Sequence, residues 1–296
     1  MEYSLFDAHC DTLLKVFFDG KSLYDGDCDV SIKKLSNYKS ATQLFAVFNE
    51  GNLKTSDILK ISDLVKSNKN INFVTNTKNL KKVNAMLSIE GLGNTKDLNP
   101  EDIKTFYDAG FRVISLTWNQ NNPLCGGIEE NNDGLSPLGK DILSKMEKEN
   151  IVLDVSHISD KGFFDCFENF SGKIVATHSN SRKICNHMRN LTDEEFLLLK
   201  KRGGVAGLNL YPLFLNKSDN ASVKDMICHI EHFLSLGGEN NIGIGADFDG
   251  TETKSGDIYD ASKMNILFNE LAKLNYSDDI ISKISHKNFE NMLQNV

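Results

Sequence analysis

Short apolar runs rich in β-branched residues alternate along most of this sequence with longer segments that have helical spacing of apolar positions. The eight runs lie at residues 4–9, 42–48, 85–91, 112–118, 151–157, 173–179, 204–211 and 241–248. Near-continuous apolar strands separated by helices are typical of a parallel sheet covered on both faces. Because eight such strands close a β/α barrel, we predict one α/β domain, a (β/α)8 TIM barrel, over residues 1–296. A doubly wound open sheet is the alternative.

The segments between these runs predict helices, several with recognisable starts. The predicted helices cover residues 55–67, 100–109, 136–149, 160–167, 193–201, 223–236 and 259–274. Asn99 and Ser136 each precede a proline, which favours the first position of a helix. Thr192 and Glu195 have the spacing of a capping box. The longer stretches that remain, 20–29, 119–134 and 211–220, are predicted to be loops around the barrel mouth.

The charge and apolar patterns of the chain exclude several classes of partner. The 296 residues include 41 acidic and 33 basic ones, a formal net charge of -8, which is not typical of a nucleic-acid-binding protein. No run approaches the roughly 18 apolar residues of a membrane span, and the N-terminus does not resemble a secretion signal. We therefore expect a cytoplasmic protein with no nucleic-acid or membrane partner. The six cysteines form no C-x-x-C pair and are predicted to be free thiols.

Residues able to bind a metal recur at the carboxyl ends of the apolar runs, where barrel enzymes build their sites. His9 and Asp11 end the first run, and strand residues two apart share a face. Glu90 ends the third run, while His157 and His178 end the fifth and sixth. Each residue alone has an ordinary explanation as a hydrogen-bonded side chain, but five converging at four strand ends favour metal. Three imidazoles and two carboxylates suit two zinc ions per chain bridged by Glu90, with Mn²⁺ or Co²⁺ as substitutes.

Seven segments of the sequence carry a family resemblance. They are FDAHCDTL (6–13), SIEG (88–91), LDVSH (153–157), VATHSNSR (175–182), NHMRNLTDE (186–194), GLNLY (207–211) and IGIGADFDG (242–250). In this order and spacing the chain resembles the membrane or renal dipeptidase family (peptidase family M19), zinc dipeptidases of the amidohydrolase type. The resemblance implies that His9 and Asp11 bind one zinc, that His157 and His178 bind the other, and that Glu90 bridges them. It also implies attack on the peptide carbonyl by a hydroxide shared between the two metals.

The resemblance further implies how a dipeptide substrate is bound. Arg189 matches the family arginine that binds the free carboxylate of the dipeptide, a task suited to a planar guanidinium group. Asp247 matches the family acid near the scissile nitrogen, with Asp249 as its rival, and Glu90 and Asp247 are thus the predicted catalytic residues. Tyr211, with a weaker case for Asn209, is expected in the substrate pocket. The resemblance also implies a homodimer.

One position departs from the animal members of that family, in which a histidine follows the fourth strand and polarises the carbonyl. Here Trp118 occupies the corresponding position, so we expect it to line the substrate pocket instead. Oxyanion stabilisation would then depend on the metals, or on Asn119 and Asn122. Asp154 is polar within an apolar run, so it is predicted either to orient a metal-bound histidine or to accept hydrogen bonds from backbone amides.

Three functions remain open at the level of sequence. The first is a dipeptidase for substrates with a free amino and a free carboxyl end. The second keeps the two metals but acts on a lactam, a lactone or another amide, since the same attack suits any of these bonds. The third is a barrel that binds metal or a small molecule without turnover.

Overall fold

The eight apolar runs form the parallel strands of a single barrel sheet. The computed structural model describes residues 2–253 and 256–296. In this part of the chain the strands are β1 (Leu5–Asp7), β2 (Ala41–Phe48), β3 (Asn72–Phe73), β4 (Val83–Glu90), β5 (Phe111–Ser115), β6 (Val152–Asp154), β7 (Ile174–Val175), β8 (Ala206–Leu208) and β9 (Ile242–Ile244). Their order in the sheet is β7-β6-β5-β4-β2-β1-β9-β8, and the two-residue β3 pairs with β4 outside this path.

The two ends of this path meet, which confirms the predicted barrel and excludes the open sheet. Ala176, just after β7, forms a parallel bridge with Ala206 of β8. The Ala176 amide donates to the Val205 carbonyl at 3.0 Å, and the Gly207 amide donates to the Ala176 carbonyl at 2.8 Å. Because every pairing is parallel, the carboxyl ends of all the strands lie at the same rim of the barrel.

Most strands end earlier than the apolar runs predict. The first predicted strand covers residues 4–9, but β1 ends at Asp7, and Asp11 already precedes the first helix with a non-extended backbone. The alternation of strand side chains is therefore not what brings His9 and Asp11 together, which corrects that prediction. Beyond β1 the regular pairing is interrupted, but Cys10 forms a parallel bridge with Phe248 and its carbonyl accepts from the Ala46 amide at 3.0 Å. Among the predicted ligands, Glu90 is the one that remains inside a strand, at the end of β4.

Helices cover the outside of the barrel. They are α1 (Thr12–Asp19), α2 (Ile32–Leu35), α3 (Thr55–Lys66), α4 (Asp102–Ala109), α5 (Pro137–Lys148), α6 (Asp160–Asn169), α7 (Asp193–Lys201), α8 (Pro212–Leu215), α9 (Val223–Ser235), α10 (Asn265–Lys273), α11 (Asp278–Ser282) and α12 (Asn288–Met292). The predicted caps of α5 and α7 are confirmed: Ser136 Oγ accepts from the Gly139 amide at 3.0 Å, and Thr192 and Glu195 form a capping box. Within the described residues, no helix is long and apolar enough to cross a membrane. All six cysteines are free.

Three helix and loop predictions need correction. The helix predicted at residues 100–109 begins at Asp102, because Asn99 Oδ1 accepts from the Glu101 amide and forms a separate turn before it. The helix predicted at residues 259–274 begins at Asn265, after a 3₁₀ turn at Ala261–Lys263. The predicted loop at residues 211–220 contains the short helix α8, which begins at Pro212.

The core has two layers, and the C-terminus seals one of them. A large cluster of buried apolar residues fills the space between the sheet and the helices, while a smaller cluster occupies the barrel interior. Phe289 of α12 belongs to this inner cluster and stacks on Phe6 with ring centroids 5.4 Å apart. Asn288 Nδ2 donates to the Ile242 carbonyl at the start of β9, so α12 closes the amino end of the barrel. The carboxyl end remains open for a site.

Candidate metal centre

The residues predicted to bind metal lie on short segments that follow the strands. Asp247 follows β9 by three residues, and His157 and His178 follow β6 and β7 by the same distance. His157 and Asp247 have left-handed φ angles of 68° and 64°, a region that only a few per cent of non-glycine residues adopt. Such strained backbone is concentrated at functional sites, because the surrounding structure must enforce it.

Glu90 occupies the centre of this group, and its two carboxylate oxygens face different partners. Its Oε1 lies 2.9 Å from His157 Nε2 and 3.6 Å from His178 Nε2. Its Oε2 lies 3.3 Å from His9 Nε2. The Nε2 atoms of His157 and His178 are themselves 2.8 Å apart. The structure thus brings together the residues predicted for two adjoining ion sites, with Glu90 between them.

His9 faces three carboxylates at once. Its Nε2 lies 3.3 Å from Glu90, 3.5 Å from Asp11 and 3.8 Å from Asp247. Within the described residues His9 Nε2 and Asp11 Oδ1 nevertheless make no hydrogen bond. Buried polar atoms without partners are costly, so an imidazole nitrogen in this state among carboxylates fits a position that binds a cation.

The charge balance of the centre also fits divalent cations. Burial raises the pKa of Glu90 to about 7, although His9 opposes this shift. Burial lowers the pKa of His157 and His178 well below the usual range, so both imidazoles are neutral, as metal ligands must be. Burial also lowers the pKa of His9, but the Glu90 and Asp11 carboxylates outweigh it and raise that pKa well above its ordinary value. The negative charge that favours a proton on His9 favours a divalent cation equally.

The geometry allows two overlapping ligand sets. The candidate ligand atoms of His9, Glu90 and His178 lie within 4.8 Å of one another, and so do those of His9, Asp11 and Asp247. Imidazole nitrogen and carboxylate oxygen are the donors that zinc prefers, and manganese and cobalt accept them as well. The residues present therefore fit the predicted metals by donor type and by proximity.

His178 is oriented by a buried chain of hydrogen bonds from β6. Its Nδ1 lies 2.8 Å from Thr177 Oγ1, which in turn donates to Asp154 Oδ2 at 2.5 Å. Asp154 Oδ1 also accepts from the amides of Thr177 and Ser156. Asp154 thus fulfils both predicted alternatives, since it accepts from backbone amides and reaches His178 through Thr177. Because the Thr177 hydroxyl donates to Asp154, it accepts from His178 Nδ1–H and leaves Nε2 free for a cation.

Arg189 is buried beside the centre and has unused donors. It is 4% exposed, and within the described residues its Nε and Nη2 make no hydrogen bond. Burial lowers its pKa to about 10, and Asp247 and Glu90 oppose this shift, so the guanidinium remains charged at neutral pH. Arg189 lines a very small cavity that shares His157 with the main one, rather than the main cavity itself. Its guanidinium also lies 5.5 Å from the Phe214 ring.

The main cavity, of about 720 Å³, opens directly over the centre. Trp118 and Tyr211 both line it, as predicted. The Trp118 ring lies 5.1 Å from the Phe48 ring and 6.2 Å from that of His157. Tyr211 packs edge-on against Phe214 at 4.8 Å. Aromatic walls around a polar floor are typical of small-molecule sites.

Geometry separates the two candidate acids that end the last strand. Asp249 accepts from Thr12 Oγ1 at 2.6 Å and from Lys15 Nζ at 3.1 Å, and it also accepts from the amides of Asp29 and Val30. It therefore joins α1 to the segment at residues 29–30. Asp247 Oδ2 accepts from Asn209 Nδ2 at 3.0 Å, which leaves Oδ1 directed towards His9. The order of preference predicted for Asp247 and Asp249 agrees with these contacts.

Both asparagines considered for oxyanion stabilisation make hydrogen bonds within the protein. Asn122 Nδ2 donates to the Leu116 carbonyl, and its Oδ1 accepts from backbone amides of its own loop. Asn119 Oδ1 lies 2.5 Å from His157 Nδ1, and its Nδ2 donates to Glu129 Oε1 at 2.9 Å. Each amide nitrogen carries a second N–H besides the one used here, so the suggested contact of these amides with a substrate carbonyl stays a prediction.

Sequence reasoning missed three polar residues around the site. Thr177 precedes a predicted ligand directly, so its position was a usable signal. Glu129 lies in a polar loop where nothing distinguishes it from the acidic residues nearby. His187 lines the main cavity, and its Nδ1 accepts from the Arg189 amide at 3.2 Å. Its place two residues before Arg189 was the available clue.

Sequence comparisons place the chain in a known family. The sequence model of the membrane dipeptidase family (peptidase family M19) matches residues 1–296. An uncharacterized protein from the pqqA 5′ region of Klebsiella pneumoniae is 31% identical over 227 residues, or 73% of this chain and 83% of that protein. An uncharacterized dipeptidase of Schizosaccharomyces pombe is 29% identical over 211 residues, 70% of this chain and 51% of that protein. Dipeptidase 3 of Mus musculus is 28% identical over 200 residues, 65% of this chain and 40% of that protein. The chain thus spans about half the length, or less, of the yeast and mouse relatives.

Solved structures show the same fold at low sequence identity. The crystal structure of the dipeptidase AC, a metallopeptidase of family M19, superposes with a TM-score of 0.88 at 20% identity, over 99% of this chain and 98% of that chain. A metallopeptidase from Rhodobacter sphaeroides, solved with a phosphinate mimic of the dipeptide L-Ala-D-Ala, gives 0.86 at 19% identity, over 99% of each chain. Together with the family match over the whole sequence, these findings show that the chain belongs to the membrane dipeptidase family of metallopeptidases, peptidase family M19.

Proposed function

We propose that the chain hydrolyses dipeptides that have a free amino group and a free carboxylate. His9 and Asp11 would bind one divalent cation, most suitably zinc, and His157 and His178 a second, with Glu90 shared between them. When bound, the two cations supply an activated water nucleophile at neutral pH and polarise the peptide carbonyl. The opposed contacts of the two Glu90 oxygens support this arrangement.

The observation that carries the choice of substrate is the unpaired guanidinium of Arg189 beside the metal ligands. A buried cation with two free donors is costly unless an anion binds it, and a carboxylate matches the planar fork of Nε and Nη2. The dipeptide carboxylate is the anion that the proposed reaction provides. The Rhodobacter sphaeroides metallopeptidase was solved with a dipeptide mimic, which agrees with a substrate of this size.

Asp247 is proposed to transfer the proton that the reaction requires. Its Oδ2 is fixed by Asn209, so Oδ1 is the atom available to take a proton and to deliver it to the departing amine. The ring of Trp118 covers the His157 side of the cavity and limits the access of bulk water there. Tyr211 and Phe214 form an apolar wall for a substrate side chain.

The substrate choice is tested by comparing a dipeptide with the same dipeptide amidated at its C-terminus. With zinc-loaded protein, Arg189→Ala should lower kcat/KM for the free dipeptide by about 10- to 100-fold, the effect of losing a charge-assisted hydrogen bond. It should leave the slow hydrolysis of the amide unchanged. Arg202→Ala is the matched control, because Arg202 is exposed and remote from the cavity.

Other outcomes of the same experiment favour the alternatives. Equal hydrolysis of the amide and the free dipeptide by wild-type protein would favour a broader amidase that acts on lactams, lactones or other amides. Binding of two zinc ions without cleavage across a dipeptide panel would favour a binding barrel. Fewer than two ions per chain at saturation would contradict the proposed centre. The homodimer and the cytoplasmic location stay predictions.

A further inference from the structure

Beyond the predicted ligands, the His157 side of the centre has a support of its own in the loop at residues 119–129. Asn119 Oδ1 lies 2.5 Å from His157 Nδ1. Asn119 Nδ2 donates to Glu129 Oε1 at 2.9 Å, and the Glu129 amide donates back to the Asn119 carbonyl at 2.9 Å. Asn119 and Glu129 are thus joined by one hydrogen bond between their side chains and by another between their main chains. We propose that Asn119 and Glu129 are a positioning pair that fixes the ring of His157 for metal binding.

The hydrogen-bond directions determine the tautomer of His157. A carboxylate oxygen accepts, so the amide nitrogen of Asn119 must face Glu129 and its carbonyl oxygen must face His157. The carbonyl oxygen in turn requires a proton on His157 Nδ1. The lone pair therefore lies on Nε2, the atom 2.9 Å from Glu90 Oε1. Without Glu129 the Asn119 amide could rotate and present its NH₂ group to the ring, which would favour the wrong tautomer.

The pair holds the Nδ1 side of the His157 ring, while Nε2 on the other side faces Glu90 and His178. Within the described residues, Asn119 is the only hydrogen-bond partner of Nδ1. The backbone of His157 is strained, with φ at 68°, so its local geometry does not favour the observed position by itself. The Ile128 amide donates to the His157 carbonyl at 3.0 Å, which joins the same loop to the histidine backbone.

The loop is shaped to bring Asn119 and Glu129 together. Gly127 passes so close to the chain that a Cβ atom there would lie 2.4 Å from the carbonyl oxygens of Asn119 and Gln120. Asn121 Oδ1 accepts from the Gly127 amide at 3.0 Å. A side chain at position 127 would push the segment at residues 127–129 away from Asn119 and Gln120. Glu129 could then no longer reach Asn119.

The inference rests on the proposed metal centre, and its test reads metal binding and histidine tautomer rather than peptide hydrolysis. Protein stripped of metal is titrated with zinc against a chromophoric chelator, which resolves two sites per chain in the wild type. Asn119→Ala should weaken one site by about 10- to 100-fold, the usual effect of removing a group that orients a ligand, and leave the other unchanged. Nitrogen-15 NMR of the histidine rings should show Nδ1–H at His157 in wild-type protein and a tautomer mixture in Asn119→Ala.

Glu129 and Gln120 provide matched variants. Glu129→Ala frees the Asn119 amide and should weaken the same site by about 10-fold, whereas Glu129→Gln keeps an acceptor and should stay within about 2-fold of wild type. Gln120→Ala removes an exposed amide next to Asn119 and should change neither site. Because Glu129 is exposed, its variants test the inference even if Asn119→Ala does not fold.

Wild-type zinc affinity at both sites in Glu129→Ala, with an unchanged His157 tautomer, would overturn the inference. So would equal losses in Glu129→Ala and Glu129→Gln, because the lost acceptor would then not be the cause. If wild-type protein binds two zinc ions but cleaves no dipeptide, the proposed function fails while this test still applies. The two failures are therefore distinguishable.

Discussion

The two histidines next to Glu90 are supported from different parts of the molecule. His178 is joined through Thr177 to Asp154. Thr177 is 1% exposed and Asp154 is 5% exposed, and both belong to the wall of the barrel. His157 is joined through Asn119 to Glu129, which is exposed in a surface loop. Both chains of hydrogen bonds end in a carboxylate and leave Nε2 free. The comparison teaches that one predicted ligand is held by buried residues of the barrel and the other by an exposed side chain of a loop.

The largest expected effect comes from the residue that the two sides share. Glu90→Gln removes one of the two carboxylate oxygens that face the histidines, so both ion sites lose their common ligand. We expect kcat/KM for a dipeptide to fall on the order of 10³-fold or more, with a loss of bound zinc. Steady-state kinetics and metal analysis measure both quantities. A variant that keeps more than a tenth of the activity would show that the two sides do not depend on Glu90.

Metal removal should produce the next largest effect, because the proposed cations would connect the two sides. Dialysis against a chelator would leave the carboxylates of Asp11, Glu90 and Asp247 without a counter-charge. We expect the free energy of unfolding to fall by about 3–4 kcal/mol for each ion removed, relative to protein in zinc at several hundred times the dissociation constant. Urea denaturation measures this loss, which added zinc should reverse and added magnesium should not. An unchanged midpoint would contradict a resident metal.

A smaller effect is expected from the barrel side alone. Thr177→Val keeps the shape of the side chain but removes the hydroxyl, which leaves Asp154 Oδ2 and His178 Nδ1–H without a partner in a buried place. The metal-stripped variant should be less stable than metal-stripped wild type by about 2 kcal/mol, the cost of an unsatisfied buried polar group. Thr177→Ser, which keeps the hydroxyl, is the control. Equal stability of Thr177→Val and wild type would contradict the inferred coupling between the position of His178 and the stability of the fold.

The smallest effect on stability is expected on the loop side. Glu129→Ala should change the unfolding free energy of metal-stripped protein by less than about 0.5 kcal/mol, because the side chain is exposed. The same variant is expected to weaken zinc binding. Glu129→Ala should therefore lower the zinc affinity without lowering the unfolding free energy, whereas Thr177→Val should lower both. Urea midpoints of the two metal-stripped variants, measured side by side, provide the comparison. A loss of stability in Glu129→Ala as large as in Thr177→Val would erase the difference between the two sides.

Much of the site could be predicted because parallel strands bring their carboxyl ends to one rim. His157 and His178 are far from Glu90 in sequence, yet each follows an apolar run, and that placement alone predicts that they converge. The strand ends themselves were predicted less well. His9 and Asp11 fit a strand pattern in sequence but lie beyond β1, because the regular strand ends at Asp7 and Asp11 is already the N-cap residue of α1.

Roles that depend on a hydrogen-bond partner could not be predicted from residue type. Asn119 and Asn122 are equivalent candidates in sequence, but one contacts His157 and the other holds its own loop. Asp247 and Asp249 flank one phenylalanine, and the contacts of Asp249 with Thr12 and Lys15 separate their roles. In each pair the role of a residue depends on a hydrogen-bond partner that is distant in sequence, and the residues next to it in sequence do not identify that partner.

The sequence by itself determined the alternation of strands and helices, the family and the rim at which the predicted ligands gather, while closure of the sheet through Ala176 and Ala206 was left to the structure. These features follow from the apolar periodicity within each segment and from the order of the motifs along the chain. Only the tertiary structure decided which Glu90 oxygen faces which histidine, that α12 closes the amino end of the barrel, and that Asn119 and Glu129 support His157. Those features depend on side-chain directions between segments distant in the chain, which only packing in three dimensions specifies.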